Sequence, residues 1–137
     1  MIVDTSAIVA ILRGEPDADL YIEALGRAAE SLVSAGTYVE TAIVVDANRD
    51  PVLSGRFDDL LAVAHIKVEP LTKRHAEIAR QAYRDFGKGG GHPAQLNLGD
   101  CFAYALARAS SEPLLFKGDD FSQTDVSSAL GTGGTGR

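Results

Sequence analysis

Five carboxylates stand where a fold could gather them: Asp4, Glu40, Asp100 and the adjacent pair Asp119 and Asp120. Asp4 closes the apolar run Met1-Ile2-Val3 and is followed at once by the hydroxyls of Thr5 and Ser6. Glu40 lies three residues after Thr37, Asp100 three after Asn97, and the last pair follows Leu114-Leu115-Phe116. Carboxylates packed together repel, and burying them is costly unless a counter-charge compensates. A hard divalent cation is the natural compensation, because Mg²⁺ takes oxygen ligands, keeps several waters and needs only a few carboxylates. Such a site can activate water and stabilise charge on a transferring phosphoryl group.

Each acid also has a purely structural use. Asp4, Thr5 or Ser6 can cap the helix that follows. Thr37 and Glu40 have the spacing of a capping box, Asp100 suits a helix macrodipole, and Asp119-Asp120 can shape a turn. Rival chemistries are poorly supported. His65, His75 and His92 are scattered and Cys101 stands alone, so no zinc spacing exists. Gly87-Lys88-Gly89-Gly90-Gly91 lacks the spacing and the preceding strand of a phosphate-binding loop. Ser6 has no nearby base to make it a nucleophile.

The elements decide whether the acids meet. Ile2-Val3 reads as a short buried strand, with a helix over Ala7 to Leu12 ended by Gly14 and Pro16. Asp17 can cap a second helix with Leu20, Tyr21, Ala24, Leu25 and Ala28 at helical spacing, before a strand at 31–34. A helix capped by Thr37 runs to Asp50-Pro51, and another spans roughly Gly55 to His65. The segment from Ile66 to Leu71 reads as a strand near a sheet edge. Thr72 caps a helix with Ala76, Ala79, Tyr83 and Phe86 inward and Gly87 as its stop, and Asn97 caps a helix from Leu98 to about Ser110. Leu114-Leu115-Phe116 forms the last buried strand. Alternating strands and helices predict an α/β fold with a parallel sheet covered on both faces. In such a sheet, strand ends and helix starts share one edge, where ligands bind, so the acids can converge there.

At 137 residues the chain is long enough for one domain with a real core. A single cysteine, no secretory leader pattern and no apolar run near the ~20 residues of a membrane span predict a soluble protein of a reducing, cytoplasmic compartment. The net charge of −6 argues against a broadly basic nucleic-acid binder, although only the local field matters to a phosphate. Arg80, Arg84 and Lys88 recur every four residues along one helical face. They form either a solvated face paired with Glu77 and Asp85 or a strip that steers a nucleic-acid backbone.

With these residues in view, the chain resembles the PIN-domain ribonucleases, specifically the VapC toxins of bacterial type II toxin–antitoxin modules. The resemblance rests on Met1-Ile2-Val3-Asp4-Thr5-Ser6-Ala7, the 34–40 segment ending in Glu40, Leu96-Asn97-Leu98-Gly99-Asp100-Cys101 and the 114–121 segment. The stretches 81–89 and His92-Pro93 fit one branch of that family, and the match spans residues 1 to about 126 in order. It implies a PIN-like α/β/α sandwich over residues 1–130, with the Gly/Thr-rich tail 131–137 disordered. It also implies endonucleolytic cleavage of RNA, often structured RNA such as tRNA, with Mg²⁺ or Mn²⁺. Asp4, Glu40 and Asp100 would then bind metal together with Asp119 or Asp120, of which Asp119 is preferred. Thr5 or Ser6 would position a water or phosphate, and Asn97 would brace the site. The implied partners are a second copy of the chain and a VapB antitoxin that covers the crevice. The rival readings are a non-catalytic module gripping a basic partner and a Mg²⁺-dependent phosphoesterase of small substrates.

Overall fold

Ile2 and Val3 are both fully buried, and the pleat of an extended chain sends them to opposite faces of the sheet. Ile2 joins a core with Ala79, Ala82, Leu96 and Leu114; Val3 joins another with Ile8, Leu25, Phe57 and Leu115. The computed structural model describes residues 1–131, so the expected disorder of the tail concerns residues that, from 132 onward, lie outside the described ones. The elements run β1 (Ile2–Val3), α1 (Thr5–Leu12), α2 (Ala18–Arg27), β2 (Ser31–Ser34), α3 (Ala35–Asp46) and α4 (Pro51–Val63). There follow β3 (Ile66–Glu69), α5 (Lys73–Phe86), α6 (Leu98–Ser110), β4 (Leu114–Leu115) and a 3-10 turn at Phe121–Gln123.

The four strands are parallel in the order β3-β2-β1-β4, with Ile2 opposite both Leu32 and Leu114. Helices cover both faces, as the alternation of elements predicts, and β3 is an edge strand as expected. The apolar runs on the two central strands follow from burial on both sides. No helix among the described residues is long and apolar enough to cross a membrane.

Several boundaries differ from the sequence reading, for local reasons. Asp4 itself caps α1, which therefore starts at Thr5 and not Ala7. Ser34 is both the last residue of β2 and the N-cap of α3, so Thr37 is no cap; it lies fully buried within the helix. Glu40 consequently sits in the second turn of α3 and takes no part in a capping box. Pro51 starts α4 under an Asp50 cap, four residues before the expected start, because a proline is well suited to the first helical position. On α5 the inward residues are Ile78, Ala79, Ala82 and Phe86, whereas Ala76 and Tyr83 are exposed. The Thr72 cap, the Asn97 cap and the stop at Gly87 stand where expected.

Candidate active site

The parallel sheet carries β1, β2 and β4 to one edge, and α6 returns with its first turn at that same edge. Asp4 follows β1 and is buried. Its Oδ2 accepts from the Ser6 backbone N at 3.0 Å and from Ser6 Oγ at 2.6 Å. Its Oδ1 is buried with no hydrogen-bond partner. Loss of solvent raises the Asp4 carboxyl to about 6 despite the Ser6 bonds, and the charge of Glu40 adds to the rise.

Glu40 leans across from α3. Thr5 Oγ1 donates to Glu40 Oε1 at 2.7 Å and lies 2.8 Å from Thr41 Oγ1, which in turn donates to the Thr37 carbonyl at 2.8 Å. The carboxylate rests on the first turn of α6 at Gly99, where an added Cβ would overlap it. A side chain at position 99 would push the Glu40 carboxylate out of this position. Thr41, fully buried, supports Glu40 through Thr5.

Asp100 is braced by Asn97 in a reciprocal capping box. The Asn97 N donates to Asp100 Oδ2 at 3.0 Å, and the Asp100 N donates to Asn97 Oδ1 at 2.9 Å. Partial burial, then the negative charges of Asp4, Asp120 and Glu40, raise the Asp100 carboxyl to about 7, against the lowering effect of the Asn97 bond. Those four acids therefore share one electrostatic neighbourhood. Of the last pair, Asp120 is the acid whose charge acts on Asp100, and Asp119 lines a separate groove with Asp17, Tyr21 and Lys117. This placement favours Asp120 over the expected Asp119.

Thr5 and Ser6 direct their hydroxyls at Glu40 and Asp4, so each orients an acid in the structure seen here. Arg80 and Arg84 are exposed along α5, whereas Lys88 lies beyond its Gly87 stop, in the loop that follows, so the expected single helical face holds only the two arginines. None of the three forms an ion pair among the described residues; Asp85 accepts instead from Gln81 at 3.0 Å. The Lys88 N donates to the Leu96 carbonyl at 2.9 Å, which places the end of the strip beside the residue preceding Asn97. Thr41, Gly99 and Lys117 were not among the residues expected from sequence. Only Gly99 left a trace there, as a glycine inside a helix, which costs stability unless a close approach requires it.

Among the described residues, no three His, Cys, Asp or Glu side chains are gathered tightly enough to ligate an ion as placed. Glu40 is turned onto Thr5 and Gly99, as expected for anionic groups that repel. The donor chemistry nonetheless fits a hard divalent cation. A buried carboxylate oxygen without any donor is a costly arrangement, and Asp4 Oδ1 is one, on an acid close enough to Glu40 and Asp100 for their charges to interact.

Comparison with known proteins agrees with the fold. The PIN domain family model matches residues 1–127. The ribonuclease VapC28 of Mycobacterium tuberculosis is 56% identical over 130 residues, covering 95% of this chain and 98% of that protein. The ribonuclease VapC42 of the same species is 52% identical over 126 residues, covering 92% and 96%. Among solved structures, Mycobacterium tuberculosis VapC20, described as a sarcin-ricin loop cleaving toxin, superposes with a TM-score of 0.69 at 16% identity, covering 91% of this chain and 95% of that one. A toxin–antitoxin complex from Klebsiella pneumoniae gives 0.65 at 16% identity, over 88% and 89%. PIN-domain ribonucleases are generally dependent on a divalent metal. With its sheet order, its acid-lined strand edge and relatives matched over nearly their whole length, this chain belongs to the PIN-domain family, among the VapC ribonucleases.

Proposed function

We propose that this chain is the toxin of a type II toxin–antitoxin module and cleaves RNA endonucleolytically in the cytoplasm. Mg²⁺ is its proposed cofactor, with Mn²⁺ as a substitute. The observation that carries this reading is the unpartnered, buried Asp4 Oδ1, in a carboxylate that shares one electrostatic neighbourhood with Glu40, Asp100 and Asp120. Those four acids would hold the metal, which when bound supplies an activated water and charge stabilisation at the scissile phosphate. Ser6 fixes Asp4, Thr5 and Thr41 fix Glu40, and Asn97 fixes Asp100. The strip Arg80, Arg84 and Lys88 offers charge-assisted contacts to an RNA backbone on its way to the crevice. Structured RNA such as tRNA is the proposed substrate class.

A VapB-type antitoxin and a second copy of the chain are the proposed partners. Val39, Ile43 and Leu98 are exposed beside Glu40 and Gly99 and supply apolar surface of the kind such contacts use. Purified parental chain should cut RNA only when Mg²⁺ or Mn²⁺ is added, and Asp4→Asn or Asp100→Asn should reduce the rate at least about a hundredfold. Metal-independent binding without turnover would instead mark a module for a basic partner. Turnover of a generic phosphoester, with RNA left intact, would mark a phosphoesterase.

A further inference from the structure

Residues 116–120 bear Asp120, yet they belong to no helix or strand. Two sets of bonds from Lys117 hold them. The Lys117 backbone N donates to Ser6 Oγ at 2.9 Å, and Ser6 Oγ donates to Asp4 Oδ2 at 2.6 Å. The Lys117 Nζ reaches Glu15 Oε1 at 2.6 Å and Asp17 Oδ1 at 3.0 Å, and Asp17 Oδ2 accepts from the Tyr21 hydroxyl at 2.9 Å. Glu15 and Asp17 lie in the turn after α1, the helix that Asp4 caps. The contacts therefore close a ring from Asp4 along α1 to Glu15 and Asp17, across to Lys117, and back through Ser6.

A hydroxyl has one proton and two lone pairs. The Lys117 N–H occupies one lone pair of Ser6 Oγ and fixes the hydroxyl, whose single proton goes to Asp4 Oδ2. That oxygen then has two donors from Ser6, while Oδ1 has none. We propose that Lys117 is a positioning residue for the acid crevice: anchored by Glu15 and Asp17, it holds Ser6 so that Asp4 presents Oδ1 as its one free ligand oxygen. This rests on the metal-dependent reading of the site. The strut acts by geometry, since a half-exposed ion pair contributes little energy by itself.

Calorimetric titration of the full chain with Mn²⁺ tests it, comparing the parental protein with Lys117→Met, Lys117→Arg, Ser6→Ala and the Lys117→Met/Ser6→Ala double variant. Lys117→Met and Ser6→Ala should each weaken Mn²⁺ binding by about tenfold. The double variant should bind no more weakly than Ser6→Ala alone, and Lys117→Arg should recover most of the loss. In RNA cleavage, kcat should fall while KM and its salt dependence hold. Multiplying losses in the double variant would overturn the proposal, as would a Lys117→Met chain with parental Mn²⁺ affinity and a raised KM, the behaviour of a direct RNA contact. Should Lys117→Met fail to fold, Glu15→Gln/Asp17→Asn frees the ammonium without altering the loop, and parental Mn²⁺ affinity there would also overturn it. A parental chain that binds no Mn²⁺ removes the metal reading and this inference together, whereas parental binding with an unaffected Lys117→Met removes only the inference.

Discussion

Asp4 divides its two oxygens between structure and chemistry. Oδ2 caps α1 through Ser6, and Oδ1 is left bare in a buried place. The rise of its carboxyl from 3.8 to about 6 expresses what ionising it there costs. Asp4→Asn keeps an oxygen for Ser6 and removes the charge, so the metal-free variant should be more stable at pH 8 by about 1–3 kcal/mol while losing RNA cleavage. Thermal denaturation beside an RNA assay checks both halves, and a destabilised variant would contradict the first. Gly99→Ala makes a complementary case. Alanine favours a helix, but its Cβ would displace the Glu40 carboxylate. Cleavage should drop by about tenfold or more while the melting temperature stays near the parental value. Asp4 and Asp100 are picked out in the sequence by local signals, a strand end and a cap, whereas the cap signal beside Glu40 is not realised. Thr41 and Lys117 could not be, because what they touch lies far away in the chain: Thr5 is 36 residues from Thr41, and Ser6 is 111 from Lys117.

At the level of elements, local chemistry was a good guide wherever a single turn decided the outcome. Thr72 and Asn97 cap their helices as their spacing predicts, both in reciprocal boxes. Thr37 and Glu40 have the same spacing and form none, because the helix already begins where β2 ends, with Ser34 as its cap, and the core takes Thr37. Position in the fold overrode the motif. The inward face of α5 was likewise rotated from expectation: small Ala79 and Ala82 allow close packing on α6, and Tyr83 turns out to donate to the Lys88 carbonyl at 3.3 Å. The outward face carries Arg80 and Arg84, with Lys88 in the loop just past the helix, and none of the three forms an ion pair among the described residues. Replacing all three by Gln should weaken RNA binding and make the slope of log affinity against log salt shallower by about 2. Binding measured across a salt series checks this, and an unchanged slope would leave the strip as a solvated helix face.

Across the whole molecule, the acid crevice sets how stability responds to pH. In the folded chain Asp4 and Asp100 keep their protons up to about 6 and about 7, whereas their ordinary value is 3.8. The folded state thus binds more protons than the unfolded one between those limits, and the stability of metal-free protein should fall as pH rises from about 4 to about 7. If the deprotonated acids hold the metal as proposed, Mn²⁺ should stabilise more at pH 7.5 than at pH 5.5. Melting curves with chelator should lie about 5 °C lower at pH 7.5 than at 5.5, with Mn²⁺ narrowing the gap; equal curves would mean that the crevice carries no such cost. The architecture was legible from the alternation of strands and helices, while the sheet order depends on pairings that no local pattern encodes. One of those pairings bears on how the site is assembled. β1 lies inside the sheet and needs β4 beside it, with Ile2 against Leu114 and Asp4 donating its N–H to Leu115. Pairings so distant in sequence close late in folding. Asp4 follows one of these strands and Asp120 comes five residues after the other, so the acid crevice is completed only when that distant pairing closes.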